Sequence, residues 1–158
     1  MVEICYRRAG MENLETLADL RCLFIEEGTG KPVDLQMRSA IREAYASMMG
    51  DGRAVAWLAF ERAAAKDAVG TGTLVFWQRI PGPHSPTGRY AYIMNMYTRP
   101  EFRRRGIASA IIERLVEAVK DAGLTRVALH TLPAAADVYL KAGFVRTDNE
   151  MALRWQSL

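Results

Sequence analysis

Cysteine and histidine are scarce in this sequence, with two residues of each among 158. Cys5 and Cys22 are too few and too far apart to form a disulfide framework. His84 and His130 add no cluster of ligands to them, so we expect no bound metal. The scarcity excludes the small disulfide-stapled proteins and the zinc-dependent domains.

Long apolar runs and a strong charge imbalance are missing as well. No run of about 18 apolar residues occurs, and the N-terminus lacks the pattern of a signal peptide. We therefore expect a cytoplasmic protein without a membrane partner. The chain has 21 Lys and Arg against 18 Asp and Glu, and the net charge of +3 is too weak to predict nucleic-acid binding.

The apolar and charged residues are balanced as in a globular protein, with 50% hydrophobic and 25% charged. We predict one domain over residues 1–158, because this length suits a single sizeable core. Apolar periodicity predicts seven strands at 3–9, 54–60, 68–78, 90–98, 125–130, 144–147 and 151–155, and four helices at 12–25, 34–49, 107–122 and 133–143. This order predicts an α/β mixture on a largely antiparallel sheet.

Two predicted segments need a closer description. The second helix carries an apolar stripe of Met37, Ile41, Tyr45 and Met48. The glycine-rich segment 26–32, between the first two helices, is predicted to be a loop.

The clearest local signal is the stretch TRPEFRRRGIAS at residues 98–109, which precedes the longest amphipathic helix. The first turn of a helix presents amide N–H groups without intrahelical partners and a partial positive charge. Gly106 and the small residues Ala108 and Ser109 let an anion approach those amides. A pyrophosphate is the obvious guest, and the alternative is an ordinary turn beside a solvated arginine cluster.

Two other phosphate-binding motifs fail in this sequence. A P-loop requires Ser or Thr after its GK pair, and the segment GTGKP has Pro32 there. The dinucleotide fingerprint G-x-G-x-x-G starts at Gly70 and Gly72, but Val75 stands at its third glycine. A phosphate site, if present, therefore lies at residues 103–109.

At these residues the chain resembles the GNAT superfamily of acetyl-CoA-dependent acetyltransferases. The family signature [QR]-x-x-G-x-[GA] reads RRRGIA at residues 103–108, and a second feature, Tyr139-x-x-x-Gly143-Phe144, follows about thirty residues later. The resemblance covers nearly the whole chain. It implies a GNAT fold, in which a mixed, mostly antiparallel sheet of about seven strands is flanked by four helices and splayed between its fourth and fifth strands.

The resemblance also implies a set of binding residues for acetyl-CoA. The signature loop would bind the pyrophosphate, and the unpaired backbone of the strand before it would bind the pantetheine arm. The implied cofactor-binding residues are Met96, Tyr97, Thr98, Arg103, Arg104, Arg105, Gly106, Ile107, Ala108, Ser109 and Tyr139. Tyr139 stands where many members carry a general acid, although its apolar neighbours also suit a packing role. Leu132 replaces an asparagine that many members use to bind the cofactor arm.

The reaction also requires that the acceptor amine loses a proton, since an alkylammonium has a pKa of about 10.4. Glu26 and Glu27, in the predicted loop, are candidates for substrate binding, and Glu27 is also a candidate base. Asn95 could hold a water near the thioester, and His130 ends the neighbouring predicted strand. For each of them a structural or solvent-exposed role is the alternative.

Three functions compete at this point. The first is transfer of the acetyl group of acetyl-CoA to a primary amine of a small molecule or peptide, by direct attack in a ternary complex. The second is a catalytically weak GNAT module that senses acyl-CoA. The third, nucleic-acid binding through the arginines, ranks low because no aromatic residues interleave with them. A homodimer is compatible with the resemblance, because family members often pair.

Overall fold

The structure is a computed structural model that describes residues 3–64, 67–147 and 151–153. In this part of the chain there are five strands: β1 (Ile4–Arg8), β2 (Ala54–Glu61), β3 (Ala68–Gln78), β4 (Arg89–Thr98) and β5 (Val127–Leu129). The four helices are α1 (Leu14–Thr29), α2 (Leu35–Gly50), α3 (Ile107–Asp121) and α4 (Ala136–Lys141). Short 3₁₀ turns precede α1, α3 and α4.

The strands form one mixed sheet in the order β1-β2-β3-β4-β5. Neighbours from β1 to β4 are antiparallel, which their short connections allow. β5 is parallel to β4, because α3 carries the chain back across the sheet before β5 begins. The prediction of an α+β fold with a mixed sheet and four helices is therefore confirmed.

Helices cover both faces of the sheet. α3 packs on one face, where Ile111 and Leu115 join Leu74 and Ile93 in a fully buried cluster. α1 and α2 pack on the other face, where Leu17 and Leu20 meet Leu58. Within the described ranges, no helix has both the length and the apolar character needed to cross a membrane.

A glycine on β3 lets α3 approach the sheet closely. A Cβ at Gly72 would lie 2.4 Å from Sδ of Met96 and 2.6 Å from Cγ2 of Ile111. Because real Cβ atoms do not come so near to other atoms, any side chain here would push α3 or β4 away. The G-x-G pattern that resembles a nucleotide motif thus serves packing at its second glycine.

The prediction of seven strands is wrong. Residues 144–147 and 151–153 form no strand, while residues 148–150 and the end of the last predicted strand lie outside the described residues. Val145 is 81% exposed and Met151 is 97% exposed, so these apolar residues bury little surface against the sheet. Alternating apolar residues form a strand only where a neighbouring strand pairs with them.

The predicted loop at 26–32 is also too long. α1 continues to Thr29 and ends at Gly30, whose φ of 68° is left-handed. Glu26 and Glu27 therefore lie in the last turns of α1 and not in a loop. The glycine at 28 is tolerated inside the helix at a cost of about 1 kcal/mol relative to alanine.

Candidate functional site

The turn before α3 has an unusual backbone. A 3₁₀ turn, Pro100–Phe102, precedes the arginines. Arg104 has φ 60° and Gly106 has φ 78°, so two of the three residues from 104 to 106 adopt the left-handed conformation. Gly106 is the N-cap of α3, and a Cβ built on it would meet no heavy atom within 4 Å. The space in front of the helix is therefore open, and the left-handed φ of Gly106 is the feature of the structure that favours glycine here.

The amides of this turn donate to no protein acceptor in the described part of the chain. In residues 3–64, 67–147 and 151–153, no backbone carbonyl accepts a hydrogen bond from the amides of residues 104–109. The first bond of α3 is donated by the Ala110 amide to the Gly106 carbonyl, at 3.0 Å. Free N–H groups and the positive end of a helix dipole favour an anion, so these six consecutive amides are a candidate site for one.

The three arginines of the turn have different environments. Arg103 donates one hydrogen bond to the Thr98 carbonyl at 2.9 Å and another to the Glu27 carboxylate at 2.6 Å. Arg105 donates to the Glu101 carbonyl at 2.9 Å. Arg104 is exposed, and no hydrogen-bonded protein partner for it is found among the described residues. Arg104 is therefore the arginine most available to a ligand.

The two glutamates at the end of α1 both have protein partners. Arg103 lowers the pKa of the Glu27 carboxyl, chiefly through their hydrogen bond. The Glu26 carboxylate accepts a hydrogen bond from the Val33 amide at 2.9 Å, which closes the connection between α1 and α2. A carboxylate with a lowered pKa is a weaker base, so this geometry favours a structural role for Glu27.

A β-bulge interrupts β4 next to the turn. Thr71 pairs with Tyr97 and Thr73 pairs with Met94, so two residues of β4 lie opposite one residue of β3. Asn95, the first of the two, has φ 54°. The bulge inverts the alternation of side chains, since Met96 packs on the α3 side whereas Tyr97 packs among residues of α1 and α2.

One edge of β4 is open beyond the bulge. β5 pairs with β4 at only three positions, and the last pair is Ile93 with Leu129. From Met94 to Thr98, no further pairing with β5 occurs in the described part of the chain. Tyr97 and Thr98 are paired with β3 on their other side. The backbone of residues 96–98 is therefore held by β3 while its outer edge remains available to a ligand.

The Asn95 side chain takes part in a buried chain of hydrogen bonds. Its Nδ2 donates to the Tyr45 hydroxyl at 2.5 Å, and that hydroxyl is 3.0 Å from Oγ1 of Thr73. Asn95 is 5% exposed, and its Oδ1 is enclosed without a hydrogen-bond partner among the described residues. The sequence reasoning did not assign Tyr45 or Thr73 to the site, because Tyr45 belongs to the apolar stripe of α2 and Thr73 lies in the middle of a strand.

Tyr139 lies on α4 and is 8% exposed. Its ring meets the Phe144 ring edge-on, with 5.9 Å between the centroids. The contact joins the two ends of the motif Tyr139-x-x-x-Gly143-Phe144. Burial raises the pKa of the Tyr139 hydroxyl above its usual value. At neutral pH the hydroxyl is therefore protonated and can donate.

His130 directly follows β5, next to the place where β4 and β5 stop pairing. Its Nδ1 and the Tyr92 hydroxyl form a hydrogen bond, and the Trp77 ring lies 5.0 Å from the Tyr92 ring between centroids. The described residues contain no group of three or more His, Cys, Asp or Glu side chains that could hold a metal ion.

A family model described as Acetyltransferase (GNAT) family matches residues 15–144, which include the bulge of β4, the turn before α3 and Tyr139. The chain belongs to the GNAT family of acetyltransferases. Membership in this family implies acyl transfer from acetyl-CoA, the reaction of an acyltransferase. No curated protein matched the sequence.

Solved structures support the GNAT fold. A structure described as a predicted acetyltransferase with acetyl-CoA, from Clostridium acetobutylicum, is 27% identical, covers 96% of this chain and 96% of its own, and has a TM-score of 0.86. A GCN5-related N-acetyltransferase from Ralstonia eutropha is 22% identical, with coverage of 97% and 99% and a TM-score of 0.79. A glucosamine-6-phosphate N-acetyltransferase from Arabidopsis thaliana is 14% identical, with coverage of 98% and 99% and a TM-score of 0.75. The last two likenesses concern the fold alone.

Proposed function

We propose that this GNAT protein transfers the acetyl group of acetyl-CoA to a primary amine, by direct attack within a ternary complex. The observation that carries the proposal is the row of six unpartnered amides at residues 104–109, which opens onto free space beside the unpaired edge of β4. An anion-binding helix terminus next to an open strand edge fits a ligand that has a diphosphate followed by a chain of amides.

The residues present fit acetyl-CoA at both positions. The amides of residues 104–109 would hold the diphosphate, and the exposed Arg104 would add a charge-assisted contact. We propose that Arg103 acts indirectly, because its guanidinium is already bound to Glu27 and to the Thr98 carbonyl. The backbone of Met96, Tyr97 and Thr98 would pair with the amides of the pantetheine arm.

Acetyl-CoA supplies a thioester, whose acyl carbon an amine can attack and whose leaving group is a thiolate. An amide of β4 at residues 96–98 would donate a hydrogen bond to the acetyl oxygen, where negative charge develops. The bulge interrupts the pairing with β3 at Asn95 and Met96, and Tyr97 and Thr98 resume that pairing while their other edge has no β5 partner among the described residues.

We propose Tyr139 as the general acid. Thiols have a pKa of about 8.5 and phenols a pKa of about 10, so a phenol held near the sulfur can donate a hydrogen bond or a proton as negative charge develops, although complete transfer to a free thiolate is uphill. Burial raises the Tyr139 pKa further, which makes the hydroxyl a weaker acid and favours its action as a hydrogen-bond donor to the leaving sulfur.

The other half of the reaction is the removal of a proton from the acceptor amine. The pKa of an alkylammonium lies about three units above neutral pH, so removing its proton at neutral pH costs about 4 kcal/mol. The ion pair with Arg103 makes Glu27 a weaker base, and the enclosed Oδ1 of Asn95 is poorly placed to hold a water that the amine could reach. We propose that the proton leaves through water or through His130. Glu26 and Glu27 would then shape the acceptor side without contacting the amine as free carboxylates.

A catalytically weak module that senses acyl-CoA is the second candidate. It is favoured by one observation, which is that both glutamates near the site already have protein partners. Such a module would bind the coenzyme as tightly as an enzyme but release no thiol.

Two measurements test the proposal. Saturating acetyl-CoA should raise the melting temperature, and a panel of small amines and peptides should include acceptors that release free CoA thiol. Thermal stabilisation without thiol release from any acceptor would support the sensing module instead. No stabilisation by acetyl-CoA or CoA would overturn both functions.

A further inference from the structure

We infer that Tyr45 and Thr73 are positioning residues for acetyl transfer, because their hydroxyls hold Asn95 in the conformation that forms the β4 bulge. The inference rests on the proposed function. It concerns two residues that do not face the open edge of β4, and it couples helix α2 to the backbone that would bind the acyl donor.

The direction of the hydrogen bonds supports this role. The Asn95 Nδ2 can only donate, so the Tyr45 oxygen is its acceptor at 2.5 Å. The Tyr45 hydroxyl then has its own hydrogen available for Oγ1 of Thr73, at 3.0 Å. Tyr45 is 9% exposed, Thr73 is 2% exposed and Asn95 is 5% exposed, so water does not compete for these bonds.

The backbone of Asn95 explains why such support is needed. Its φ of 54° is unfavourable for a residue with a side chain, although Asn tolerates it better than most. A residue in this region persists only where its surroundings determine its conformation. Here α2, through Tyr45, and β3, through Thr73, restrain the same side chain.

The alternation of β4 shows what the restraint achieves. Ala91 and Ile93 face α3, and a regular strand would place Asn95 on that face too. Its bond to Tyr45 keeps Asn95 on the opposite face, which places Met96 against α3 and shifts the following backbone by one residue. The direction of the amides at residues 96–98 therefore depends on the two hydroxyls.

The chain offers a matched control for this test. Thr71 and Thr73 lie on the same face of β3, and both are buried, with exposures of 0% and 2%. The Thr71 hydroxyl has no partner in the described part of the chain. Thr73→Val removes the hydrogen bond between Thr73 and Tyr45. Thr71→Val removes an equally small buried hydroxyl that makes no hydrogen bond to the described residues.

The expected results separate positioning from packing. Tyr45→Phe and Thr73→Val should each weaken acetyl-CoA binding by about fivefold, the effect of losing one buried hydrogen bond. They should speed hydrogen exchange at the amides of residues 95–98 in the free protein, while Thr71→Val should change neither. Asn95→Gly, which adopts φ 54° without strain, should keep more kcat/KM than Asn95→Ala.

The inference is overturned if Tyr45→Phe and Thr73→Val retain both the wild-type affinity and the wild-type exchange of those amides. It is also overturned if Asn95→Gly loses as much activity as Asn95→Ala, since the side chain would then act directly. Failure of the wild-type protein to bind acetyl-CoA would instead overturn the proposed function. The exchange measurement on the free protein would still decide whether the hydroxyls hold the bulge.

Discussion

Arg103 and Glu27 form an ion pair with 2.6 Å between nitrogen and oxygen, although they are 76 residues apart in the sequence. The pair joins the last turn of α1 to the turn before α3, so it physically connects the two sides of the proposed site, one for the acceptor and one for the diphosphate. Both side chains remain partly exposed, at 41% and 47%, and solvent therefore screens the attraction. We regard the pair as a positional link and not as a major source of stability.

Glu27→Gln should change activity only modestly. Exposed ion pairs contribute up to about 1 kcal/mol, so kcat/KM should fall by no more than about fivefold. Glu117→Gln, which breaks a more exposed pair with Lys120 on α3, is the control for loss of a surface carboxylate and should have no effect. A loss of several orders of magnitude in steady-state kinetics would show instead that Glu27 is the base.

The same pair predicts a dependence of stability on pH. Because Arg103 lowers the pKa of Glu27, the contribution of this carboxylate to stability is present above its unfolded-state pKa of about 4.3 and is lost as pH falls through the folded-state value. In urea titrations at acid pH, Glu27→Gln should therefore lose less stability on acidification than the wild type. Equal losses would contradict the link.

Gly106→Val should weaken acetyl-CoA binding in a protein that still folds. The Cβ would meet no atom within 4 Å, so the cost arises from φ 78° and from the branched side chain in front of the amides. We expect about 1 to 3 kcal/mol of lost stability, from the strain of a left-handed residue. Calorimetry should show an affinity reduced several-fold or more.

Gly28→Ala provides the control, because this helical glycine also has nothing within 4 Å of an added Cβ. It should stabilise α1 by up to about 1 kcal/mol and leave binding unchanged. An unaltered affinity in folded Gly106→Val would remove the turn before α3 from the binding site.

Tyr139→Phe should reduce kcat more than it reduces acetyl-CoA affinity. A positioned general acid contributes about 10²- to 10⁴-fold, and the remaining ring would keep its contact with Phe144. Tyr6→Phe is a matched loss of a hydroxyl on β1, away from the bulge and the turn, and should leave kcat unchanged. Full activity of Tyr139→Phe would assign Tyr139 to packing.

The raised pKa of Tyr139 predicts how kcat depends on pH in the alkaline range. Burial raises its pKa above the usual value of about 10, so the hydroxyl should remain a donor at moderately alkaline pH. Any stability linked to its neutral form is present below pH 10 or so and is lost as pH rises through the folded-state pKa. A pH profile of kcat that decreases well below that range would point to a different acid.

Gly72→Ala should destabilise the protein and disturb the bulge. The added methyl would overlap Met96 and Ile111, and overpacking of this kind costs about 1 to 3 kcal/mol. Urea denaturation measures the loss. Gly82→Ala, at a position where a Cβ meets nothing within 4 Å, should be close to neutral. An equally stable Gly72→Ala would show that α3 moves away from β3 at little cost.

Regular elements with strong local patterns were predictable from the sequence. β3 was predicted over residues 68–78 and occupies that range, and α3 begins at Ile107 as expected after Gly106. Both are signalled by local sequence patterns, which are the apolar run of β3 and the glycine that precedes the amphipathic stripe of α3. The prediction of seven strands was wrong, because pairing at the end of the chain depends on a partner and not on alternation.

The environment of the site residues was less predictable. The sequence places three arginines beside Gly106, and it cannot show that Arg103 is bound to Glu27 while Arg104 is exposed. Likewise, nothing local distinguishes Tyr45 from its apolar neighbours on α2. These assignments depend on residues that are far apart along the chain and meet only when the layers pack.

The sequence by itself determined the family, the order of the elements as far as α4 and the glycine turn at the start of α3, because local sequence patterns signal each of them. Only the tertiary structure decided which side of β4 each residue faces after Met94. That choice follows from the bulge at Asn95, and the bulge depends on two hydroxyls from α2 and β3 that reach one buried side chain.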